Sequence, residues 1–260
     1  MTPPRPTLRV EKRLLREGRL RVLCADECGR GSLGGPASAG VVVIDASVTR
    51  PLRGLRDSKL LTPRAREALV PQIHRWAVAG AVGHATAAEV DALGLTAALR
   101  LAAHRAIARL PVQADVVLLD GNHDWLTPPG QGTLFGSGGT AGCGSDPAGC
   151  VPAHTVTPDA ADPVVADVVV AEVVVPEVVI PEVVTMIKAD LHCAGVAAAS
   201  VLAKVERDAL MVGLAAHYPH YGWEENKGYG SPQHLDALRR LGPCVEHRRS
   251  WRLPTMQTDG

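Results

Sequence analysis

The chain has 260 residues, 46% of them hydrophobic and 21% charged, and this composition excludes disorder throughout. The first 19 residues lack the apolar stretch of a secretory signal, and no run of 18 apolar residues free of charge or proline occurs, so we expect a soluble, cytoplasmic protein with no membrane partner. The net charge is zero, but residues 131–185 hold seven acids and no Lys or Arg, which leaves +7 on the remainder. A basic body is compatible with a polyanionic partner but does not require one.

The first part of the chain is predicted to alternate strands and helices after a charged lead, residues 1–20. Apolar, β-branched runs predict buried strands at 21–25 and 40–44, and the glycine-rich stretch between them has the composition of a functional loop. A Thr-Pro pair at 62–63 predicts the start of a helix, which Pro71 should kink or end. The elements predicted from there are helical pieces at 64–69 and 72–79, a strand at 79–84, and a helix at 87–110 interrupted at Gly94.

Residues 131–182 are predicted to be a low-complexity insertion. From Gln131 the chain turns to Gly, Ser, Pro and Thr, and from Ala166 four five-residue units follow one another, ADVVV, AEVVV, PEVVI and PEVVT. A period of five fits neither a strand nor a helix, and proline recurs where a sheet needs an amide donor. The alternative is that the valine-rich units add a strand or bind a partner, because such runs are β-prone.

The remaining elements complete an α/β domain with helices at its end. A buried strand at 114–119 precedes the insertion, and a second strand at 183–188 follows it. The alanine-rich stretch 194–217 predicts a long helix that can lie close to a sheet. After an aromatic and basic loop, Ser231 and Pro232 begin a last helix that stops before Gly242. We therefore expect one α/β domain, 21–253, interrupted by the insertion, and a tail, 254–260.

Three of the predicted strands end on acids, which are Asp26 with Glu27, Asp120, and Asp190. Carboxylates are costly to bring together unless cations neutralise them, and strand ends in α/β sheets are common ligand sites. Oxygen donors without a Cys or His pattern favour Mg²⁺ or Mn²⁺ over zinc. Any one of these acids alone is more often a solvated strand terminus, but three such strands favour a site.

The loop after the first strand has the flexibility that a ligand site needs. Asp26 and Glu27 are neighbours and face opposite sides of a regular strand, so both reach one site only if the chain is already leaving the sheet. Four glycines supply that freedom, and the exposed amides of such a loop can approach a phosphate or a sugar. A glycine-rich loop alone is more often a plain turn, but Arg30 between two of the glycines strengthens the functional interpretation.

Six ordered sequence blocks match one known family. They are DECGRGSLGGP at 26–36, DSKLLTPRAR at 57–66, LLDG at 118–121, IKAD with AAASVLAKVERD within 187–208, YPHYGWEENKGYGSPQH at 218–234, and GPCVEHRRSW at 242–251. In this order they closely resemble the segments of ribonuclease HII. The resemblance covers about residues 20–253 apart from the insertion. The related ribonuclease HIII carries a sizeable extra N-terminal domain, and with 25 residues before Asp26 we favour HII.

The resemblance implies an RNase H-like mixed sheet flanked by helices, in a monomeric endoribonuclease. It implies hydrolysis of the RNA strand of RNA/DNA hybrids and cutting at ribonucleotides embedded in duplex DNA, with 3′-hydroxyl and 5′-phosphate ends and a part in ribonucleotide excision during DNA replication and repair. Two-metal-ion catalysis with Mn²⁺ or Mg²⁺ is also implied. By motif, the catalytic and metal-binding acids are Asp26, Glu27, Asp120 and Asp190, and the substrate-binding residues are Gly29, Arg30 and Gly31 at the 2′-hydroxyl and Tyr229 at the sugar beyond the junction.

Three departures from the family pattern leave the functional groups in place. Cys28 replaces a small residue, Ser32 replaces a frequent proline, and Ala189 stands where glycine often precedes the fourth acid. These changes can alter the stiffness of the loop and the geometry of the metals. Two rival functions stay open, a catalytically silent hybrid-binding module of the same fold and a metal-dependent phosphohydrolase of small molecules.

Other aromatic, basic and sulfur-bearing residues have less specific patterns. Tyr229, between two glycines, suits stacking on a sugar or base better than core packing, whereas Tyr218, Tyr221 and Trp223 fit a local aromatic core. Phosphate contact and local pairing are equally open for four basic residues, Lys59, Lys188, Lys204 and Arg207. Of these four, only Lys59 is placed with the substrate-binding residues. Structural roles are favoured for Asp124 and Asp208. The six cysteines show no CxxC pair and no zinc-finger spacing, so we expect reduced thiols.

Overall fold

A five-stranded mixed sheet organises the computed structural model, which describes residues 5–129, 176 and 178–254, all within the same structural unit. The strands are β1 (Arg21–Cys28), β2 (Ala37–Asp45), β3 (Ala79–Ala85), β4 (Val116–Asp120) and β5 (Glu182–Met186). Their spatial order is β3-β2-β1-β4-β5, in which β1, β4 and β5 are parallel and β2 is antiparallel to both of its neighbours. The predicted mixed α/β sheet is therefore confirmed. Most of the predicted insertion lies outside the described residues.

Helices flank the sheet and form the C-terminal part of the described chain. They are α1 (Arg9–Arg16), α2 (Pro63–Trp76), α3 (Ala87–Leu93), α4 (Leu95–Ala108), α5 (Ala189–His192), α6 (Ala194–His217), α7 (Trp223–Asn226) and α8 (Pro232–Leu241), with 3-10 helices at Ser58–Leu60 and Pro219–Tyr221. The long helix α6 has the predicted bounds, and Gly94, with a φ of 76°, separates α3 from α4 as predicted. Among the described helices, none combines the length and the hydrophobicity that crossing a bilayer needs.

Two glycines allow helices to press on both faces of the sheet. A Cβ at Gly40 would collide with the backbone carbonyl of Ala199 in α6, and a Cβ at Gly83 would collide with the carbonyl of Ala102 in α4. Gly83 pairs with Ala39, the residue next to Gly40, so the two contacts lie on opposite faces. Both faces of the central strands are covered, which explains why β1 and β2 contain nearly continuous buried runs.

Helix α2 runs through Pro71, so the predicted break there is wrong. The helix buries Arg66, Leu69 and Ile73, whereas Pro71 is exposed. Because the buried side chains anchor the helix on both sides of the proline, packing offsets the one backbone hydrogen bond that proline cannot donate. The Thr62 hydroxyl accepts from the Ala65 amide, so the predicted N-cap is present.

The segment treated as a charged lead contains part of the core. Helix α1 lies within it, and both Leu8 and Leu14 are buried. The predicted C-terminal boundary of the insertion also differs from the structure by one residue. Strand β5 begins at Glu182, which was assigned as the last residue of the insertion. Glu182 pairs with Val116 in β4, which fixes it in the sheet.

Helix α1 supplies a cap to the central helix α6. Cys193, the residue before α6, makes no side-chain capping bond, but Oε1 of Glu11 accepts from the Gly195 amide at 2.8 Å. Thr7 adds two backbone bonds at the same place, one to the carbonyl of His192 and one from the amide of Ala194. A carboxylate at a helix N-terminus satisfies free amides and complements the helix dipole. The N-terminal segment therefore fixes the start of α6.

The buried position of Glu11 predicts a pH-dependent stability. Burial raises the pKa of Glu11 from 4.5 to about 6, against the lowering effect of the Gly195 amide. The folded state thus binds more protons than the unfolded state over this interval, so stability falls as pH rises. Relative to Glu11→Gln, the wild type should lose about 2 kcal/mol of unfolding free energy between pH 4 and pH 7. Urea denaturation of both proteins across this range measures the difference, and parallel stability curves would contradict the prediction.

Candidate active site

The ends of the three parallel strands bring the predicted acids to one edge of the sheet. Asp26 lies in β1 and Asp120 is the last residue of β4. The parallel register of these neighbouring strands places the two acids side by side. Oδ1 of Asp120 accepts from the amide of Ala189 at 2.6 Å and from that of Asp190 at 3.4 Å. The backbone that carries the fourth acid is therefore bonded to the third.

Three of the four acids do not end strands, contrary to the sequence prediction; only Asp120 does. Strand β1 continues through Asp26 and Glu27 to Cys28, because β2 offers backbone partners as far as Ser38. Asp190 lies in the first turn of α5, after β5 has ended at Met186. The register of the sheet and the short helix, rather than simple strand ends, set the positions of these carboxylates.

The acids approach the sheet edge from both of its faces. As neighbours in a regular strand, Asp26 and Glu27 point to opposite sides. On the α6 side, Asp26 is 4% exposed and hydrogen-bonds to the Ser200 hydroxyl. Glu27 points to the other face and, with Asp120 and Trp125, lines a cavity of about 510 Å³ at the strand ends.

Burial and the repulsion of neighbouring acids disfavour the charged forms of Asp26, Asp120 and Asp190. Burial raises the pKa of Asp26 well above its usual range, and the charges of Glu27, Asp120 and Asp190 raise it further. Burial also raises the pKa of Asp120, against the backbone amides that it accepts from, and the pKa of Asp190, where Asp120 adds to the effect. A cation among the carboxylates would relieve both causes.

The donor set fits a hard divalent cation, although the side chains do not already enclose one. Within residues 5–129, 176 and 178–254, no group of three or more His, Cys, Asp or Glu side chains is arranged to hold a metal ion. Oε2 of Glu27 is nevertheless buried without a hydrogen-bond partner, while Oε1 accepts from Nε of Arg30 at 3.0 Å. An unpartnered carboxylate oxygen among repelling acids is the chemistry that Mg²⁺ or Mn²⁺ satisfies.

Lys59 places a positive charge beside the acids. Its Nζ lies 3.5 Å from Oδ2 of Asp190, and its side chain is 75% exposed. The preceding residue, Ser58, bonds to Ser200 of α6 at 2.9 Å, and Asp57 accepts from the Lys59 amide, so the short 3-10 helix holds this lysine at the site. Lys59 can therefore meet a substrate phosphate at the edge of the acidic cluster.

The glycine loop, residues 29–35, is held by a buried arginine. Gly29 has a φ of 87°, and a Cβ there would collide with the guanidinium of Arg207. Arg207 is fully buried and donates to the carbonyl of Pro36, to the carbonyl of Lys227 and to the Ser32 hydroxyl, at 2.8–3.0 Å. Because it is buried and fully engaged, Arg207 does not meet phosphates, and that sequence alternative is wrong.

A second buried arginine fixes the tip of the same loop. Arg248 donates from Nη1 to the carbonyl of Arg30 at 3.0 Å and from Nε to the carbonyl of Gly35 at 3.3 Å. Its guanidinium also lies 4.9 Å from the centre of the Trp251 ring. Gly31 is exposed, with nothing near the position of a Cβ. The loop is thus held at Arg30 and Gly35 and is open at Gly31, one of the residues predicted to contact substrate.

The glycines on either side of Tyr229 predicted an exposed side chain, but the structure shows Tyr229 half-buried. Its ring lies 5.3 Å from the Arg207 guanidinium and 5.7 Å from Nζ of Lys204. Burial raises the pKa of Tyr229, and the nearby Cys28 raises it further. The ring is therefore pre-oriented beside the glycine loop, which reduces the entropy lost when a ligand stacks on it.

Three aromatic residues and two acids have the structural roles predicted for them, and Lys204, for which two interpretations were open, forms a local ion pair. Tyr221 and Trp223 are buried and stacked, with ring centres 5.3 Å apart, and Tyr218 packs against the same tryptophan. Asp208 pairs with Lys204 at 2.6 Å, so Lys204 is locally paired, and Asp124 accepts from two following amides of its own turn.

Four residues that shape the site were not singled out for these roles by the sequence analysis. Arg207 and Arg248 are single charges whose burial has no local sequence signal, although both lie in family-like blocks. The same holds for two buried histidines, His234 and His247, which touch each other across 13 residues of sequence.

Comparisons with known proteins agree with this geometry. The sequence model of the family described as Ribonuclease HII matches residues 23–133 and 159–254. A ribonuclease HII of Streptomyces avermitilis is 37% identical over 247 residues, which cover 95% of this chain and 83% of that protein. The ribonuclease H2 from Pyrococcus horikoshii OT3 has a TM-score of 0.58 at 21% identity, covering 90% of this chain and 95% of that one. The Bst ribonuclease HIII solved in complex with Mn²⁺ has a TM-score of 0.50 at 15% identity, covering 89% and 64%.

The structural likeness supports the RNase H-like fold, and the extent of the sequence match identifies the family. The resemblance that the six blocks suggested is confirmed. The chain belongs to the ribonuclease HII family and is a ribonuclease H, a nuclease of the hydrolase class.

Proposed function

We propose that this enzyme cuts the RNA strand of RNA/DNA hybrids and single ribonucleotides embedded in duplex DNA, leaving 3′-hydroxyl and 5′-phosphate ends. The observation that carries the proposal is that the cluster of acids and the loop predicted to contact the sugar lie together at one edge of the sheet. The four acids lie at this edge. The glycine loop begins two residues after Glu27 and contacts it through Arg30, and Arg207 holds this loop beside Tyr229. A cluster of acids alone would repel a nucleic acid, so a positioned sugar contact beside it favours a site for chemistry on a ribonucleotide.

Asp26, Glu27, Asp120 and Asp190 would hold the metal ions, Mg²⁺ or Mn²⁺. When bound, such ions activate a water and neutralise charge on the phosphoryl oxygens. The Mn²⁺ complex of the Bst ribonuclease HIII, a protein with the same fold, supports this cofactor class. The Ala189 and Asp190 amides fix Asp120, and the Ser200 hydroxyl fixes Asp26, so the protein holds two of the carboxylates by hydrogen bonds.

The glycine loop and Tyr229 would select the ribonucleotide. A 2′-hydroxyl is what distinguishes RNA from DNA at a given sugar. Gly31 leaves the backbone of the loop accessible, and Arg30, half of whose side chain is exposed, lies beside it. Tyr229 would pack on the adjoining sugar while Lys59 contacts a phosphate near Asp190. These roles account for selectivity without requiring recognition of a base.

Asp120→Asn should abolish cleavage while hybrid binding persists. The change removes the charge of one metal ligand but keeps an oxygen that can accept from the Ala189 amide, so the fold should survive. We expect turnover with Mg²⁺ or Mn²⁺ to fall by at least about 100-fold. Cleavage of an end-labelled hybrid and fluorescence anisotropy of the same duplex measure the two properties.

The matched control is Asp115→Asn, immediately before the opposite end of β4, where Asp115 accepts from the amides of Leu20 and Arg21. This variant should remain active on the same hybrid. Substantial turnover by Asp120→Asn would overturn the assignment of the acids.

Tyr229→Ala should reduce cleavage at a single embedded ribonucleotide more than cleavage of a long RNA/DNA hybrid. One ribonucleotide allows one binding register, whereas a hybrid offers many. Loss of a stacking contact worth about 1–3 kcal/mol corresponds to roughly five- to 150-fold on the first substrate. Tyr218→Ala, in the neighbouring aromatic cluster, is the control and should change both rates alike. Equal small losses from Tyr229→Ala on both substrates would return Tyr229 to a structural role.

We also propose that the low-complexity segment is dispensable for catalysis. The predicted insertion is residues 131–182, and because β5 begins at Glu182, the segment to replace by a short Gly-Ser turn is residues 131–181. Long surface insertions add only about 0.6 kcal/mol of closure entropy per doubling of length, so removal should leave the melting temperature and the turnover on a single-ribonucleotide duplex nearly unchanged. Loss of folding, or a fall in turnover of more than about tenfold, would place the segment in the working domain.

A further inference from the structure

Two buried histidines form a hydrogen-bonded pair outside the acidic cluster. His234 is fully buried and His247 is 1% exposed, and their Nε2 atoms lie 3.0 Å apart. Nδ1 of His234 lies 2.8 Å from the backbone carbonyl of Tyr229. Nδ1 of His247 lies 3.0 Å from the backbone amide of Cys244. The pair therefore connects the turn that contains Tyr229, residues 227–229 and here called the Tyr229 turn, to the C-terminal segment, residues 244–248.

The partners of the pair dictate where its protons lie. The carbonyl of Tyr229 can only accept, so Nδ1 of His234 carries a proton and donates it. The amide of Cys244 can only donate, so Nδ1 of His247 accepts, and a neutral His247 carries its proton on Nε2. That proton is donated to Nε2 of His234, which also accepts from Nε1 of Trp223 at 3.2 Å. Both rings are neutral, each in a single tautomer.

The surroundings of the pair favour this neutral state. Burial lowers the pKa of His234, and burial lowers that of His247 to about 4, with His234 adding to the effect. The rings of Tyr221 and Trp223 lie within 6.2 Å of both imidazoles, which leaves little polar contact besides the hydrogen bonds. The link is thus a fixed connection between backbone groups.

The segment that holds His247 is itself bonded to the glycine loop. The Gly35 amide donates to the carbonyl of Glu246 at 2.7 Å, and the Arg248 amide donates to the carbonyl of Leu33 at 3.0 Å. The Leu33 amide in turn donates to the carbonyl of Gly228, next to Tyr229. The glycine loop and the Tyr229 turn are therefore held together twice, directly and through the histidine pair.

We propose that His234, kept in one tautomer by His247, is a positioning residue that sets the Tyr229 turn for the ribose of the substrate and so contributes to selectivity for single ribonucleotides. The proposal rests on the function proposed for Tyr229 above. His234 acts through the carbonyl of Tyr229 and has no direct contact with the reacting groups assigned to the acids. A purely structural histidine would affect folding and all substrates alike.

Two polar variants of similar size separate positioning from packing. In His234→Asn the side-chain amide can occupy the place of Nδ1 and still donate to the Tyr229 carbonyl, whereas in His234→Gln it occupies the place of Nε2 and cannot. We expect His234→Gln to lower the ratio of turnover on a single-ribonucleotide duplex to turnover on a long hybrid by about three- to tenfold relative to the wild type. His234→Asn should keep this ratio within about twofold of the wild-type value. Melting temperatures of both variants record any loss of folding, which shifts both rates and leaves the ratio unchanged.

A double-mutant cycle with Tyr229→Ala completes the test. If His234 acts through Tyr229, then His234→Gln should lower the ratio in the wild-type background and cause no further fall when Tyr229 is already Ala. An equal fall in both backgrounds, or an unchanged ratio for His234→Gln in the wild-type background, would overturn the positioning role. If Tyr229→Ala alone shows no selective loss, the function proposed for Tyr229 fails as well, so the two failures are distinguishable.

Discussion

The burial and mutual repulsion of clustered carboxylates are the main physical constraint on the acidic edge of the sheet. Asp26 is nearly fully buried and lies within the field of Glu27, Asp120 and Asp190, and such an arrangement is unfavourable in the charged form without a cation. The sheet nevertheless fixes it, because the parallel ends of β1, β4 and β5 meet at one edge. The glycine contacts with α6 and α4 hold that sheet tightly on both faces, which resists the separation that the charges would otherwise drive.

The glycine loop and the Tyr229 turn are held in a different way, by buried arginines and neutral imidazoles that bind backbone carbonyls. Arg207 and Arg248 donate to backbone carbonyls of the glycine loop and its neighbours, and His234 of the histidine pair donates to the carbonyl of Tyr229. Loops carry few apolar contacts of their own, so such bonds supply the rigidity that a specific sugar contact needs. The acidic edge and the loops are thus preorganised separately. Arg207 joins the glycine loop to the ring of Tyr229, and Arg30 joins the same loop to Glu27.

The sequence was informative where burial imposes a local pattern and uninformative where it does not. The apolar runs of β1, β2 and β4, the alanine-rich helix α6 and the acids beside them could be predicted, since each is continuous in sequence. Helix α1 could not, because it is short and strongly charged and its buried Glu11 has no local signal. Pro71 misled the prediction because tertiary packing overrode a local rule, and the buried arginines and histidines were missed because their partners are far away in sequence.

The central claim is that the acids direct a water, rather than the 2′-hydroxyl of the substrate, onto the phosphodiester. The most direct test is to identify the ends of the products when the wild-type enzyme, supplied with Mg²⁺ or Mn²⁺, cuts a duplex carrying one ribonucleotide. Mass spectrometry distinguishes the two routes, because attack by water leaves a 3′-hydroxyl and a 5′-phosphate. These ends, formed only when the divalent cation is present, are the predicted result. A 2′,3′-cyclic phosphate with a 5′-hydroxyl, or cleavage that continues unchanged in a chelator, would contradict the account.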